Sequence, residues 1–132
     1  MKRDGFVQIL IADDQPIIRG AVKRLLQSHP RFRVVGEALD GEEAVVQTQA
    51  IRPHVAILNI TMPKKDGLEA AREIRRIAPE TAVIVLSTHA DRQFIEEAQR
   101  CGAVAYVNKS EAAAKLVQAI ESATDGSQSL IA

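Results

Sequence analysis

At 132 residues, 46% hydrophobic and 26% charged, the chain has the size and composition of one compact soluble domain with a real core. Lys plus Arg and Asp plus Glu are both 17, so net charge argues for neither a nucleic-acid nor an acidic partner. A single cysteine, Cys101, excludes an internal disulfide, no apolar run approaches the ~20 residues of a membrane span, and the opening MKRDGF is too short and polar for a signal peptide; a cytoplasmic domain is expected.

Residues 6–12, FVQILIA, read as a strand. The following QPIIRGAVKRLLQSH puts Ile17, Ile18, Ala21, Val22, Leu25 and Leu26 on one helical stripe, and Pro16 suits the first turn, where its missing N–H costs nothing. FRVVGEA (32–38) is a second strand, and Asp40-Gly41 turns into a helix carrying Ala44, Val45 and Thr48. Pro53 stops that helix before the third strand, HVAILN (54–59). After a loop over 60–67, LEAAREIRRIA is a helix ended by Pro79, and TAVIVLS (81–87) is the fourth strand.

Asp91 is the predicted N-cap of a helix that turns Phe94, Ile95, Ala98 and Cys101 inward and closes at Gly102, with Cys101 a small buried filler. AVAYVNK is the fifth strand, and Ser110 is the predicted cap of a last helix with Ala113, Leu116, Val117 and Ile120 on its stripe. TDGSQSLIA at the end has no such pattern. Five βα units in strict alternation, with continuous aliphatic runs such as VAILN and AVIVLS, predict a parallel sheet covered by helices on both faces. Five strands are too few for a closed eightfold barrel, so an open, doubly wound α/β sheet is expected.

In such a sheet the functional crevice lies beyond the carboxyl ends of the strands. Strand one delivers Asp13 and Asp14 there, strand three Asn59, strand four Ser87 and Thr88, and strand five Lys109. Each has a plain structural alternative: Asp14 as an N-cap, Ser87 or Thr88 as a helix-entry hydroxyl, Lys109 as a solvated lysine. Taken together they read as two carboxylates for a hard cation such as Mg2+, with a hydroxyl and an ammonium for phosphate.

LIADDQP, ILNITMPKKDG, VLSTHAD and AYVNKS, in this order and spacing, resemble the response-regulator receiver domain of bacterial two-component systems across essentially the whole chain. The wording VLSTHAD…GAVAYVNKS is most similar to receivers that precede a LuxR/NarL/FixJ-type helix-turn-helix output domain. The resemblance implies a flavodoxin-like (βα)5 fold with strand order 2-1-3-4-5, a receiver domain over 1–125, and residues 126–132 as a tail or a truncated linker to an output domain. It makes Asp13 and Asp14 the acidic pair for Mg2+, with Asn59 and the backbone carbonyl of Thr61 as further ligands. Ser87 matches the switch hydroxyl that bonds a phosphoryl group, Tyr106 the aromatic that turns inward on activation, and Lys109 the lysine that pairs with phosphate. Thr88 receives no role, and His89 is expected to face solvent. The implied partners are a sensor histidine kinase and either the chain's own output domain or a second copy, engaged through the face of the fourth helix, fifth strand and fifth helix. No basic stripe or DNA-reading motif occurs within these residues.

Asn59 departs from the pattern, because the family places its phosphoaccepting Asp there. An amide lone pair is delocalised and does not attack phosphorus, so no acyl phosphate is expected and the chain is not expected to be an enzyme. Removing one of three like charges relieves repulsion by about 1 kcal/mol without metal and weakens Mg2+ binding. An engineered substitution and a naturally degenerate receiver both account for the residue. Two other readings stand beside this one. The first is an Mg2+-dependent phosphohydrolase with Asp13 as nucleophile and Asp14 as acid, although no cap segment and no acidic pair after strand four complete it. The second is an interaction domain that binds no metal.

Overall fold

Five strands and five α-helices alternate along residues 5–89 and 91–125, the part of the chain that the computed structural model describes. The predicted tail over 126–132 lies outside those residues. In chain order they are β1 (Val7–Ala12), α1 (Pro16–Gln27), β2 (Phe32–Ala38), α2 (Gly41–Ile51), β3 (Val55–Asn59), α3 (Gly67–Ile77), β4 (Ala82–Ser87), α4 (Arg92–Arg100), β5 (Ala103–Asn108) and α5 (Ala112–Thr124). A single 3-10 turn, Lys109–Glu111, separates the last two. The sheet order is β2-β1-β3-β4-β5 and every neighbouring pair is parallel, as expected.

Alternation of side chains along each strand splits the core in two. Val7, Ile9 and Ile11 of β1, with Val55 and Ile57 of β3, pack against Val22 and Leu26 of α1 and Leu116, Ala119 and Ile120 of α5. Leu10, Ala56, Leu58, Val83 and Val85 face the other way, onto Ala44 of α2, Ala70, Ala71 and Ile74 of α3, and Ala98 of α4. A sheet buried on both faces explains why its strands read as unbroken aliphatic runs. Cys101 is buried in the second layer, as predicted.

Helix ends follow local chemistry. The Asp40 carboxylate accepts the Glu43 N–H at the start of α2, and Asp66 and Glu69 form a reciprocal capping box at the start of α3. Arg52, at φ 55°, closes α2 in the left-handed conformation ahead of Pro53.

Three local expectations are corrected. Asp91 holds the N-cap position of α4, but its side chain makes no capping hydrogen bond. Ser110 does not cap the last helix; Asn108 Oδ1 accepts both the Ser110 N–H at 2.9 Å and its hydroxyl at 2.8 Å, and α5 begins only after the 3-10 turn. Ile17, Ala21 and Ala113 lie on the predicted helical stripes yet are exposed, Ile17 by 84%, because the packing is carried by Ile18, Val22, Leu25 and Leu26 in α1 and by Leu116, Val117 and Ile120 in α5.

Candidate functional site

Strand register brings the predicted residues to one rim. Ala12 pairs with Leu58, Asn59 with Leu86, and Ser87 with Asn108, so β1, β3, β4 and β5 end side by side. The same alternation that builds the core chooses the directions. Asp13 continues the series Ile9, Ile11; Asn59 continues Val55, Ile57; Lys109 continues Ala105, Val107, all on the α1/α5 face. Ser87 continues Val83 and Val85 on the opposite face, where half-buried Tyr106 also packs.

Lys109 Nζ lies 3.0 Å from Asp13 Oδ2, and the two side chains are only 11% and 4% exposed. The other Asp13 oxygen, Oδ1, accepts the Gln15 N–H at 2.9 Å. It is therefore Asp13, not Asp14, whose carboxylate serves the chain entering α1. Asp14 is exposed. Asn59 is buried and its Nδ2 donates to the Thr61 carbonyl at 2.8 Å. Between these groups is a cleft of about 190 Å³ whose walls include Asp14, Asn59, Thr61, Thr88, His89 and Lys109.

The loop between β3 and α3 is pinned where it passes the cleft. Gly67 donates its N–H to the Ile60 carbonyl at 2.7 Å. A Cβ on Gly67 would stand 2.1 Å from the Asn59 carbonyl oxygen, and one on Gly41 would stand 1.9 Å from the Lys65 carbonyl oxygen. Ion pairs from Lys65 to Glu73 and from Lys64 to Asp40, the latter at 3.8 Å, hold the loop to its neighbours.

On the other face, Ser87 Oγ accepts the His89 N–H at 3.0 Å, and the Tyr106 hydroxyl donates to the His89 carbonyl at 2.8 Å. The His89 ring stacks on Phe94 with centroids 4.4 Å apart, so it is not the solvent-facing side chain expected. Burial pushes the Tyr106 phenol above its ordinary value of 10.0; the Ser87 hydroxyl partly offsets this, and the Asp91 carboxylate adds to the rise.

Sequence reasoning missed two supporting residues. Arg19 Nη1 donates to the Asp13 carbonyl at 2.8 Å while its Nε pairs with Glu37 Oε1 at 3.0 Å. Lys23 Nζ holds the second Glu37 oxygen at 2.9 Å. The Lys23 hydrogen bond holds Glu37 below 4.5 against the opposing effect of burial, and Arg19 adds to the lowering. The signal was the spacing of Arg19 and Lys23, one helical turn apart on the face of α1 that meets the end of β2.

A hard divalent cation needs several converging oxygens, preferably anionic. Here the Thr61 carbonyl already accepts the Asn59 amide, and Asp13 is engaged by Lys109 and Gln15. Asp14 alone of the predicted ligands presents an exposed carboxylate. As folded, the residues are a poor fit for a tightly bound divalent cation, since one carboxylate of the pair is shared with an ammonium and the amide presents its nitrogen to the Thr61 carbonyl.

Comparison with known proteins gives the arrangement its family. Residues 9–121 match the family model described as the response regulator receiver domain. The chain is 37% identical over 120 residues to the transcriptional regulatory protein DegU of Brevibacillus brevis, covering 91% of this chain and 51% of that protein. Among solved structures it resembles a LuxR-family two-component response regulator from Aurantimonas sp. SI85-9A1, with TM-score 0.90, 33% identity, and 96% and 90% of the two chains covered. The receiver domain of the putative response regulator NarL from Mycobacterium tuberculosis superposes with TM-score 0.87 at 31% identity, covering 92% of this chain and 98% of that one. The chain spans about half the length of the curated relatives it matches. A match over most of the chain, the same sheet order and relatives of the LuxR and NarL type lead to one conclusion: this chain belongs to the response regulator receiver domain family.

Proposed function

We propose that this receiver domain, with Asn59 at the phosphoacceptor position, forms no acyl phosphate and signals through protein contacts. The observation that carries the reading is the Asn59 side chain, whose nitrogen is committed as a donor to the Thr61 carbonyl and whose oxygen belongs to a neutral amide. Catalysis of phosphoryl transfer needs a nucleophile, and positioned cations only stabilise charge that the nucleophile generates. In this reading Lys109 and Ser87 would pair with a phosphoryl group, and Tyr106 with His89 would link the site to α4; the contacts of Lys109 with Asp13, of Ser87 with the His89 N–H and of Tyr106 with the His89 carbonyl are the support. Mg2+, assigned by the family resemblance to Asp13, Asp14, Asn59 and Thr61, is a weak ligand in this reading.

The partners follow from the same reading. A sensor histidine kinase is the partner of the parent type, and the face of α4, β5 and α5 would contact an output domain or a second copy. That output domain, regulating transcription, would read any DNA target; residues 1–125 would not. The setting would be the cytoplasm, in keeping with the finding that no helix among the described residues is long and apolar enough to cross a membrane. The phosphohydrolase alternative is disfavoured because both oxygens of Asp13 are engaged, by Lys109 and by the Gln15 N–H.

The test is to incubate the chain and its Asn59→Asp variant with acetyl phosphate and Mg2+ and weigh both. The variant should gain the mass of one phosphoryl group and the parent none. Uptake by the parent refutes the reading.

A further inference from the structure

We propose that two groups of the chain itself, the Asn59 amide and the Lys109 ammonium, take the place of a divalent cation in the rim cleft, so that the cleft keeps its shape without metal. The proposal rests on reading Asn59 as the phosphoacceptor-site residue and goes beyond it, because it concerns what holds the site together.

A cation bound among these residues has two structural tasks. It draws the side-chain oxygen at position 59 and the Thr61 carbonyl oxygen to a common centre, and it neutralises the buried acid at the end of β1. Both tasks are already performed. The Asn59 Nδ2–H bridges directly to the Thr61 carbonyl at 2.8 Å, and Lys109 Nζ stands 3.0 Å from Asp13 Oδ2. A carboxylate at position 59 is unable to do the first, since it has no proton to give and its oxygen would face another oxygen. The choice of amide therefore converts two oxygens that need a cation between them into a donor and an acceptor that need nothing.

Entry of Mg2+ would disturb both contacts. The amide would have to turn over to present its oxygen, breaking its bond to the Thr61 carbonyl, and Asp13 would share its charge between Lys109 and the ion. The ends of the loop are tightly packed, with Gly67 against the Asn59 carbonyl and Gly41 against that of Lys65. One formal ligand charge is missing as well, and ligand charge sets divalent affinity.

The probe is Mn2+, a divalent ion that takes the same oxygen ligands, followed by water-proton relaxation, with thermal melts in Mg2+ alongside. The parent should bind Mn2+ at least tenfold more weakly than Asn59→Asp, equivalent to about 1.4 kcal/mol. Millimolar Mg2+ should raise the melting temperature of the variant and leave the parent unmoved. Equal Mn2+ affinity, or equal melting shifts, overturns the proposal. The parent alone also decides it by NMR. A scalar coupling between the Asn59 side-chain nitrogen and the Thr61 carbonyl carbon should be present without metal and persist in millimolar Mg2+; its absence, or its loss at that concentration, overturns the proposal even if the variant does not fold. Failures are distinguishable. A parent that binds Mg2+ as tightly as the variant but takes no phosphoryl group removes this inference alone, whereas phosphoryl uptake by the parent removes both.

Discussion

Replacing Gly67 with alanine should destabilise the domain by about 3 kcal/mol, although alanine is the better helix former at the first position of α3. The new Cβ would sit 2.1 Å from the Asn59 carbonyl oxygen and 2.8 Å from its carbon. To restore ordinary contact at 3.4 Å, the end of β3 and the start of α3 have to separate by about 1.3 Å. Both obstructing atoms are backbone, so no side-chain rotation relieves the clash. The separation also stretches the 2.7 Å bond from Gly67 N–H to the Ile60 carbonyl and shifts the strand end that carries Asn59. Gly20→Ala in α1 is the control: its nearest atom would be the mobile Arg24 Nη1 at 3.6 Å, so a gain of roughly 0.5–1 kcal/mol is expected. Urea unfolding of the parent and both variants measures the difference, and the melting temperature of the Gly67 variant should fall by roughly 10 °C. A Gly67→Ala protein within about 0.5 kcal/mol of the parent would refute the claim that the loop is sterically locked to the rim.

Lys109→Met should cost about 3 kcal/mol in urea unfolding, because Asp13 stays almost fully buried with no ammonium beside it; Asp13→Asn in the same background should recover most of the loss. Glu37 is held below its ordinary 4.5 mainly by Lys23, so its contribution is present above the unfolded value and fades as pH falls through the folded one. Glu37→Gln should therefore be less stable than the parent above pH 4.5, with the gap closing in acid, and a gap constant with pH counts against the pairing. Tyr106 is the one tyrosine and there is no tryptophan, so alkaline absorbance reads it alone. Its phenolate should appear above 10.0, and the associated stability should be lost as pH rises through that folded value; a midpoint at or below 10.0 contradicts the burial.

Strand positions were legible as unbroken aliphatic runs and the rim residues as the polar residues that end them, and period two then sorts the latter by face. Once β1, β3 and β5 are recognised, the residue two places past the last buried aliphatic must share its face, which yields Asp13, Asn59 and Lys109 together. Contacts set by chain crossings were not legible. Nothing local to Gly41 announces that the Lys65 carbonyl passes within 1.9 Å of where its Cβ would be. Competition between neighbouring polar groups was equally hidden: Asn108 Oδ1 accepts the N–H and hydroxyl of Ser110, which therefore does not cap the last helix, and Asp13 took the backbone role open to Asp14. The stacking of His89 on Phe94 depends on the path of the β4–α4 loop, which the pattern of apolar residues leaves free.

The pairing of Lys109 with Asp13 spans the sheet, since β3 and β4 lie between β1 and β5 in the strand order. It works as a tie-beam joining the first βα unit to the last. Fraying of the C-terminal unit must first release a charge pair anchored at the end of an interior strand, β1, so amide protons of β5 should exchange with solvent in step with those of β1, despite belonging to the sheet's outer edge.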